Sequence, residues 1–148
     1  IGLFGGLMVL LSGNLMRPVL HRLSTMASAT SASNNYAPGT HSVAYVTAPD
    51  DTVARNIAKG LVQNKLAACV NIVPNIKSVY EWEGKIEDAE YLLIIKTRSS
   101  RLADLTDFVK KNHPYDVPEV ISLRIEDGSQ QYLDWLGSIV PFVCFYVC

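Results

Sequence analysis

Residues 68–98 read ACVNIVPNIKSVYEW, then EG, then KIEDAEYLLIIKTR, and this stretch decides the fold. Two long β-rich runs flank a tight turn at Glu83-Gly84, which is the signature of a β-hairpin. The return run holds a nearly continuous apolar section from Tyr91 to Ile95, as expected of a central strand buried on both faces. The outgoing run contains Pro74, which has no N–H for a ladder hydrogen bond and belongs on an edge or at a bulge. The hairpin therefore predicts an edge strand two paired with a central strand three.

Upstream, residues 43–48 (VAYVTA) form a short β-rich run ended by Pro49, read as strand one. From Asp50 to Lys65, Val53, Ile57 and Leu61 recur every four residues with Ala54, Ala58 and Val62 beside them, an apolar stripe at helical period. Asp50 or Asp51 supplies an N-cap carboxylate. Gly60 inside that stripe costs about 1 kcal/mol relative to Ala unless close packing requires it, which predicts an approach to a strand. Downstream, Ser99 or Ser100 is read as the cap of a second helix with Leu102, Leu105, Phe108 and Val109 on its apolar face, stopped at Asn112-His113-Pro114. Residues 117–125 alternate as a fourth strand, and a short third helix is expected over about 129–136. The order βαβ-βαβ is that of an α+β, ferredoxin-like split βαβ domain with strands one and three central.

Length and composition agree with one domain plus extensions, because the chain has 148 residues, 49% of them apolar and 18% charged. No Asp or Glu precedes Asp50; from there on 14 acids face 11 bases, a balance of −3. An acidic domain without a Lys/Arg stripe gains little on a phosphate backbone, so no nucleic-acid partner is expected. Cys69, Cys144 and Cys148 make an odd set without zinc-site spacing, so neither a disulfide scaffold nor structural zinc is expected.

The ends read differently from the middle. Residues 1–25 are acid-free and open on the apolar run IGLFGGLMVLL, interrupted at Ser12-Gly13-Asn14 well short of the ~20 residues that span a bilayer. They are read as a targeting or signal-like segment, secretory, membrane-associated or mitochondrial in the long form, with a cytoplasmic form if translation starts at Met26. Residues 26–40 have the Ser/Ala/Asn/Pro/Gly composition of a flexible linker. The domain is placed at 41–136, and residues 137–148 (GSIVPFVCFYVC) form an uncharged, apolar, atypical tail.

Four stretches carry a resemblance: TAPD at 47–50, KLAACVNI at 65–72, SVYEWEGKIE at 78–87 and HPYDVPEVISL at 113–123. Together they resemble the CutA divalent-cation-tolerance proteins over roughly residues 41–135. The resemblance implies a homotrimer with an architecture similar to PII-type signalling proteins and no catalytic reaction. It also implies an association with copper and other divalent cations in bacterial relatives, and with acetylcholinesterase anchoring in animal relatives. The hairpin supports self-association by itself: strands of this length at ~3.3 Å per residue reach roughly 45 Å. A domain of about 95 residues has a radius of gyration of only about 13 Å. The arm overshoots its own helices and presents Ile72, Ile76, Tyr80 and Trp82 on an edge that a neighbouring subunit would close.

Two residues are candidates for metal. His113 stands beside Tyr115, Asp116 and Glu119, and a neutral imidazole among carboxylates suits Cu²⁺ or Zn²⁺. The same ring also reads as a cap on the second helix's C-terminus. Bacterial relatives proposed to bind copper carry a Cys in strand one and a His pair before Pro-Tyr. The matching positions here are Val46, Asn112 and His113, so only His113 is retained and weak Cu²⁺ affinity is expected, with no required cofactor. Cys69 is the fallback thiol, although its apolar surroundings read equally as packing. Tyr80, Trp82, Lys96, Tyr115 and Glu119 fall in the recognisable stretches and are read as lining a pocket between subunits. Alternatively the aromatics seal the interface and Lys96 pairs with Glu119. No nucleophile-base motif or phosphate loop occurs, so an enzyme is not expected. A trimeric scaffold linked to cation tolerance leads, and a PII-like sensor of a small anionic ligand is the alternative.

Overall fold

The computed structural model describes residues 35–82 and 84–142. The targeting segment 1–25, the linker up to residue 34, Glu83, the side chains of residues 82 and 85–88, and the last part of the tail, 143–148, lie outside the described residues.

Strand β1 (His41–Ala48) is followed by helix α1 (Asp51–Gln63), the hairpin strands β2 (Cys69–Trp82) and β3 (Lys85–Arg98), helix α2 (Leu102–Asn112), strand β4 (Ile121–Arg124) and helix α3 (Gln130–Ile139). The strands form one antiparallel sheet in the order β2-β3-β1-β4, so β1 and β3 are central and β2 is an edge, as the sequence predicts. Asp50 caps α1: its carboxylate accepts from the Val53 N–H at 2.9 Å and satisfies one of the helix's orphan donors. Pro74 falls where the β2/β3 register shifts between Val73 and Ile76, the bulge its missing N–H calls for. Asn75 completes that bulge at φ 59°, and Gly84 supplies φ 81° at the hairpin turn.

The core lies on one side of the sheet. Ala44, Val46 and Ala48 of β1 and Leu93 and Ile95 of β3 pack against Ala54, Ile57 and Leu61 of α1 and Leu105 and Val109 of α2. Side chains alternate across a strand, so the intervening residues face the other way: Val43, Tyr45 and Thr47 of β1, and Leu92, Ile94 and Lys96 of β3. These are only half-buried in the single chain. Burial of β3 on both faces is thus met on the helix side alone.

Several local expectations change. Gly60 makes room for a ring of α2 rather than a strand, since a Cβ there would lie 2.4 Å from Phe108 Cζ. Ser99 and Ser100 do not cap α2. A 3₁₀ turn, Ser99–Arg101, precedes that helix, and Ser99 Oγ donates to Gly39 O at 2.6 Å while accepting from Ser42 Oγ at 2.7 Å. Strand β4 is four residues long instead of nine, because residues 113–120, with Pro114 and Pro118, run as a loop and the pairing with β1 begins only at Ile121. Ile72 packs on the core instead of standing out on the arm. Helix α3 continues to Ile139, and Val140 is buried beyond it with Leu136 and Ala68. At the other end, hydrogen bonding reaches back to Tyr36, whose hydroxyl donates to Ile125 O and accepts from the His41 N–H.

Candidate functional site

His113 follows the last residue of α2, where Pro114 prevents continuation. Its ring is buried, 9% exposed, and both nitrogens are engaged. Nδ1 accepts the Tyr115 backbone N–H at 3.1 Å, so the proton resides on Nε2, which donates to Thr47 O at 2.9 Å. The Tyr115 ring meets the imidazole edge-on with centroids 4.7 Å apart. The ring thereby ties the loop after α2 to the end of β1, and a metal at either nitrogen would displace one of these bonds. Asp116 and Glu119 are exposed in the same loop. Among the described residues no group of three or more His, Cys, Asp or Glu is placed to hold a metal ion.

Cys69 is the first residue of β2, half-buried and opposite Lys96 of β3. The Tyr132 phenol of α3 lies beside it, and burial, then the nearby Cys69 thiol, pushes that phenol above its ordinary value. Lys96 Nζ donates to Asn71 Oδ1 across the strand pair and to Ile94 O at 3.3 Å. Within one chain Lys96 thus turns to its strand neighbours.

A single chain does not bring the proposed pocket residues together. Lys96 pairs with Cys69 at the base of the hairpin, whereas Trp82 pairs with Lys85 at its tip, about 40 Å away at ~3.3 Å per residue. Tyr80, 39% exposed, lies near that tip, while Tyr115 sits at the sheet end through its His113 contact. Only a second subunit could complete such a pocket. The sequence reading also passed over Glu90, the residue at which β3 emerges past the end of β1, whose side chain is 4% exposed. An acid immediately before the apolar run 91–95 was the available signal. An open groove of about 310 Å³ between α1 and β2, lined by Ala58, Lys59, Val62, Gln63 and Val70, contains none of the expected site residues.

Helix α3 covers the second sheet face at the His41–Arg98 row, and the rows beyond it are continuous. Register places Cys69, Lys96, Val43 and Leu123 in one row and Asn71, Ile94, Tyr45 and Ile121 in the next. Ile121 and Leu123 are 56% and 64% exposed.

Residues 42–138 match the model of the CutA1 divalent ion tolerance protein family. A Xenopus laevis protein named Protein CutA homolog is 57% identical over 127 residues, covering 85% of this chain and 84% of that protein. The human Protein CutA is 49% identical over 116 residues, covering 78% of this chain and 65% of its own length, so the match spans a little under two thirds of that relative. Among solved structures, CutA1 from Oryza sativa is 54% identical with a TM-score of 0.67, covering 70% of this chain and 94% of that one. The divalent cation tolerance protein of Thermus thermophilus is 47% identical with a TM-score of 0.66, covering 68% and 99%. With residues 42–138 matched by the family model and a similar fold found in solved relatives, this chain belongs to the CutA1 divalent ion tolerance protein family.

Proposed function

We propose that the protein acts as a homotrimeric, non-catalytic binding or scaffold protein of the cation-tolerance type, with a ferredoxin-like subunit in a PII-like arrangement. The second sheet face carries this reading. Val43, Tyr45, Leu92, Ile94, Ile121 and Leu123 form an apolar surface on the face that α3 covers at its His41–Arg98 end, flanked by the two edge strands β2 and β4. Head-to-tail contact between such surfaces closes as a ring and removes both liabilities together. Light scattering of the full chain at micromolar concentration is expected to give three times the chain mass of 16.3 kDa. A stable, folded monomer would overturn the reading.

Copper association and acetylcholinesterase handling, which the family resemblance implies, are assigned here to the assembled trimer. Cu²⁺ at His113 must displace either the Tyr115 N–H or the Thr47 carbonyl from the ring, each net hydrogen bond being worth about 1 kcal/mol. We therefore expect weak binding. Calorimetric titration should show a Cu²⁺ heat that His113→Ala removes and Cys69→Ser retains. Heat lost only in Cys69→Ser would move the site to the strand thiol. The acetylcholinesterase assignment is tested by co-precipitation of the two proteins, and no recovery with intact trimer would overturn it.

A second reading is favoured by the position of Lys96, a cation on the face where subunits would meet. There it could take a small anion in a pocket completed by Tyr80, Trp82, Tyr115 and Glu119 of more than one subunit. A ligand of this kind stabilises the fold by mass action, and loss of its thermal shift in Lys96→Met would identify the site.

A further inference from the structure

His41 opens β1, yet it belongs to the docking site of α3. It is 4% exposed, and neither ring nitrogen has a hydrogen-bond partner among the described residues. The Tyr36 ring stacks on one side with centroids 5.6 Å apart and planes 11° from parallel. Gly137 of α3 also lies against the ring: a Cβ at that position would stand 3.3 Å from His41 Nε2 and 3.0 Å from Arg98 Nη2. The absence of a side chain at 137 lets both groups reach the helix.

Arg98 holds the C-terminal end of α3. Its Nη2 donates to Gly137 O at 2.8 Å and its Nε to Val140 O at 2.9 Å, satisfying carbonyls that a helix end leaves orphaned. The charged and titratable groups that face His41 are Arg98 from β3, Asp134 from α3 and the Tyr36 phenol from the preceding segment. A ten-residue helix has little stability alone, so α3 persists through this contact and through Leu136 and Val140 on Ala68.

We propose that His41 and Arg98 form an acid-sensitive latch that holds α3 against the sheet at neutral pH and releases it when His41 takes up a proton from solvent. The enclosed, unbonded ring is matched to the neutral imidazole. Protonation would place a second cation beside the Arg98 guanidinium in a site closed to water, with Asp134 a weaker compensation. Burial first, and the Arg98 charge second, hold the His41 imidazole below its ordinary value, while Asp134 acts in the opposite direction. A group whose pKa is lowered by folding stabilises the docked state above the unfolded pKa, and that contribution is lost as pH falls through the folded one. Release would uncover Ala68, Leu136 and Val140 and free Gly137 and Val140 from the Arg98 guanidinium.

Hydrogen exchange on the full chain at about pH 7.5 and about pH 5, corrected for intrinsic exchange, tests this by comparing α3 with α1; the protection of α3 should fall, by at most about thirtyfold, because pH 5 lies about 1.5 units below an ordinary histidine pKa. Protection of α1 should hold. In His41→Phe and His41→Gln the α3 change should shrink to less than about twofold, the uncharged rings or amides having no proton to gain. Unchanged α3 protection in the wild type, an equal loss in the variants, or loss of α1 in step with α3 would each overturn the latch. In the wild-type protein alone, the NMR titration of the His41 ring should coincide with α3 opening, and opening without it would reject the proposal even if neither variant folds.

Discussion

Ile94→Glu is expected to yield a folded chain that no longer assembles. Ile94 sits on the second face of the sheet between Asn71 and Tyr45, directed away from the helix-side core. Within one chain the half-buried position leaves a carboxylate in reach of water, and the cost should be about 1 kcal/mol. In the proposed trimer the same carboxylate enters an apolar interface in every subunit, with a desolvation penalty of several kcal/mol per ion. Sedimentation should report a monomer where the wild type is trimeric, with a dissociation constant raised by at least about a hundredfold, or about 2.8 kcal/mol. A variant that remains trimeric at low micromolar concentration would show that this face is not the interface. Loss of the folded far-UV signal would instead show that Ile94 supports the subunit core.

The second large effect is on subunit stability. Leu61 is fully buried in α1, in the cluster with Ile57, Leu93, Ile95 and Leu105 that joins both helices to the central strands. Leu61→Ala removes its transfer energy and leaves a cavity that close-packed neighbours fill only partly. Equilibrium urea unfolding at a fixed protomer concentration should show a loss of about 2–5 kcal/mol. The concentration must be held constant because assembly adds to apparent stability by mass action. A loss below about 1 kcal/mol would mean that α1 and α2 rearrange freely over the sheet, contrary to the close contact of Gly60 with Phe108.

Both predictions rest on the same division of the sheet into a core face and a second face. The run 91–95 was legible as a central strand because five nearly continuous apolar residues do not suit an edge. Its burial on both faces, however, is not met within one chain, where Leu92 and Ile94 are only half-buried. Ser99 shows the other kind of limit. A serine ahead of a helical stripe is a sound cap signal, but Ser42 and Gly39, brought alongside by the β1–β3 pairing, offer its hydroxyl partners that the local sequence does not contain. His113 was legible as a special position from its place before a proline. The bonds that occupy its ring come from Thr47, 66 residues away, and from a turn whose geometry only the folded loop defines.

The sequence by itself determined the order of strands and helices, the cap at Asp50, the bulge at Pro74, the hairpin turn and the central place of β3. Each of these is governed by spacing, backbone chemistry and hydrophobic period within a few residues. Only the tertiary structure decided that Gly60 serves Phe108, that β4 is cut to four residues, that Lys96 turns to Asn71 within the chain, and that His41 lies enclosed beneath α3. These outcomes depend on which distant segments meet and how closely they pack. Contacts between residues far apart in the chain leave no periodic trace in the chain itself.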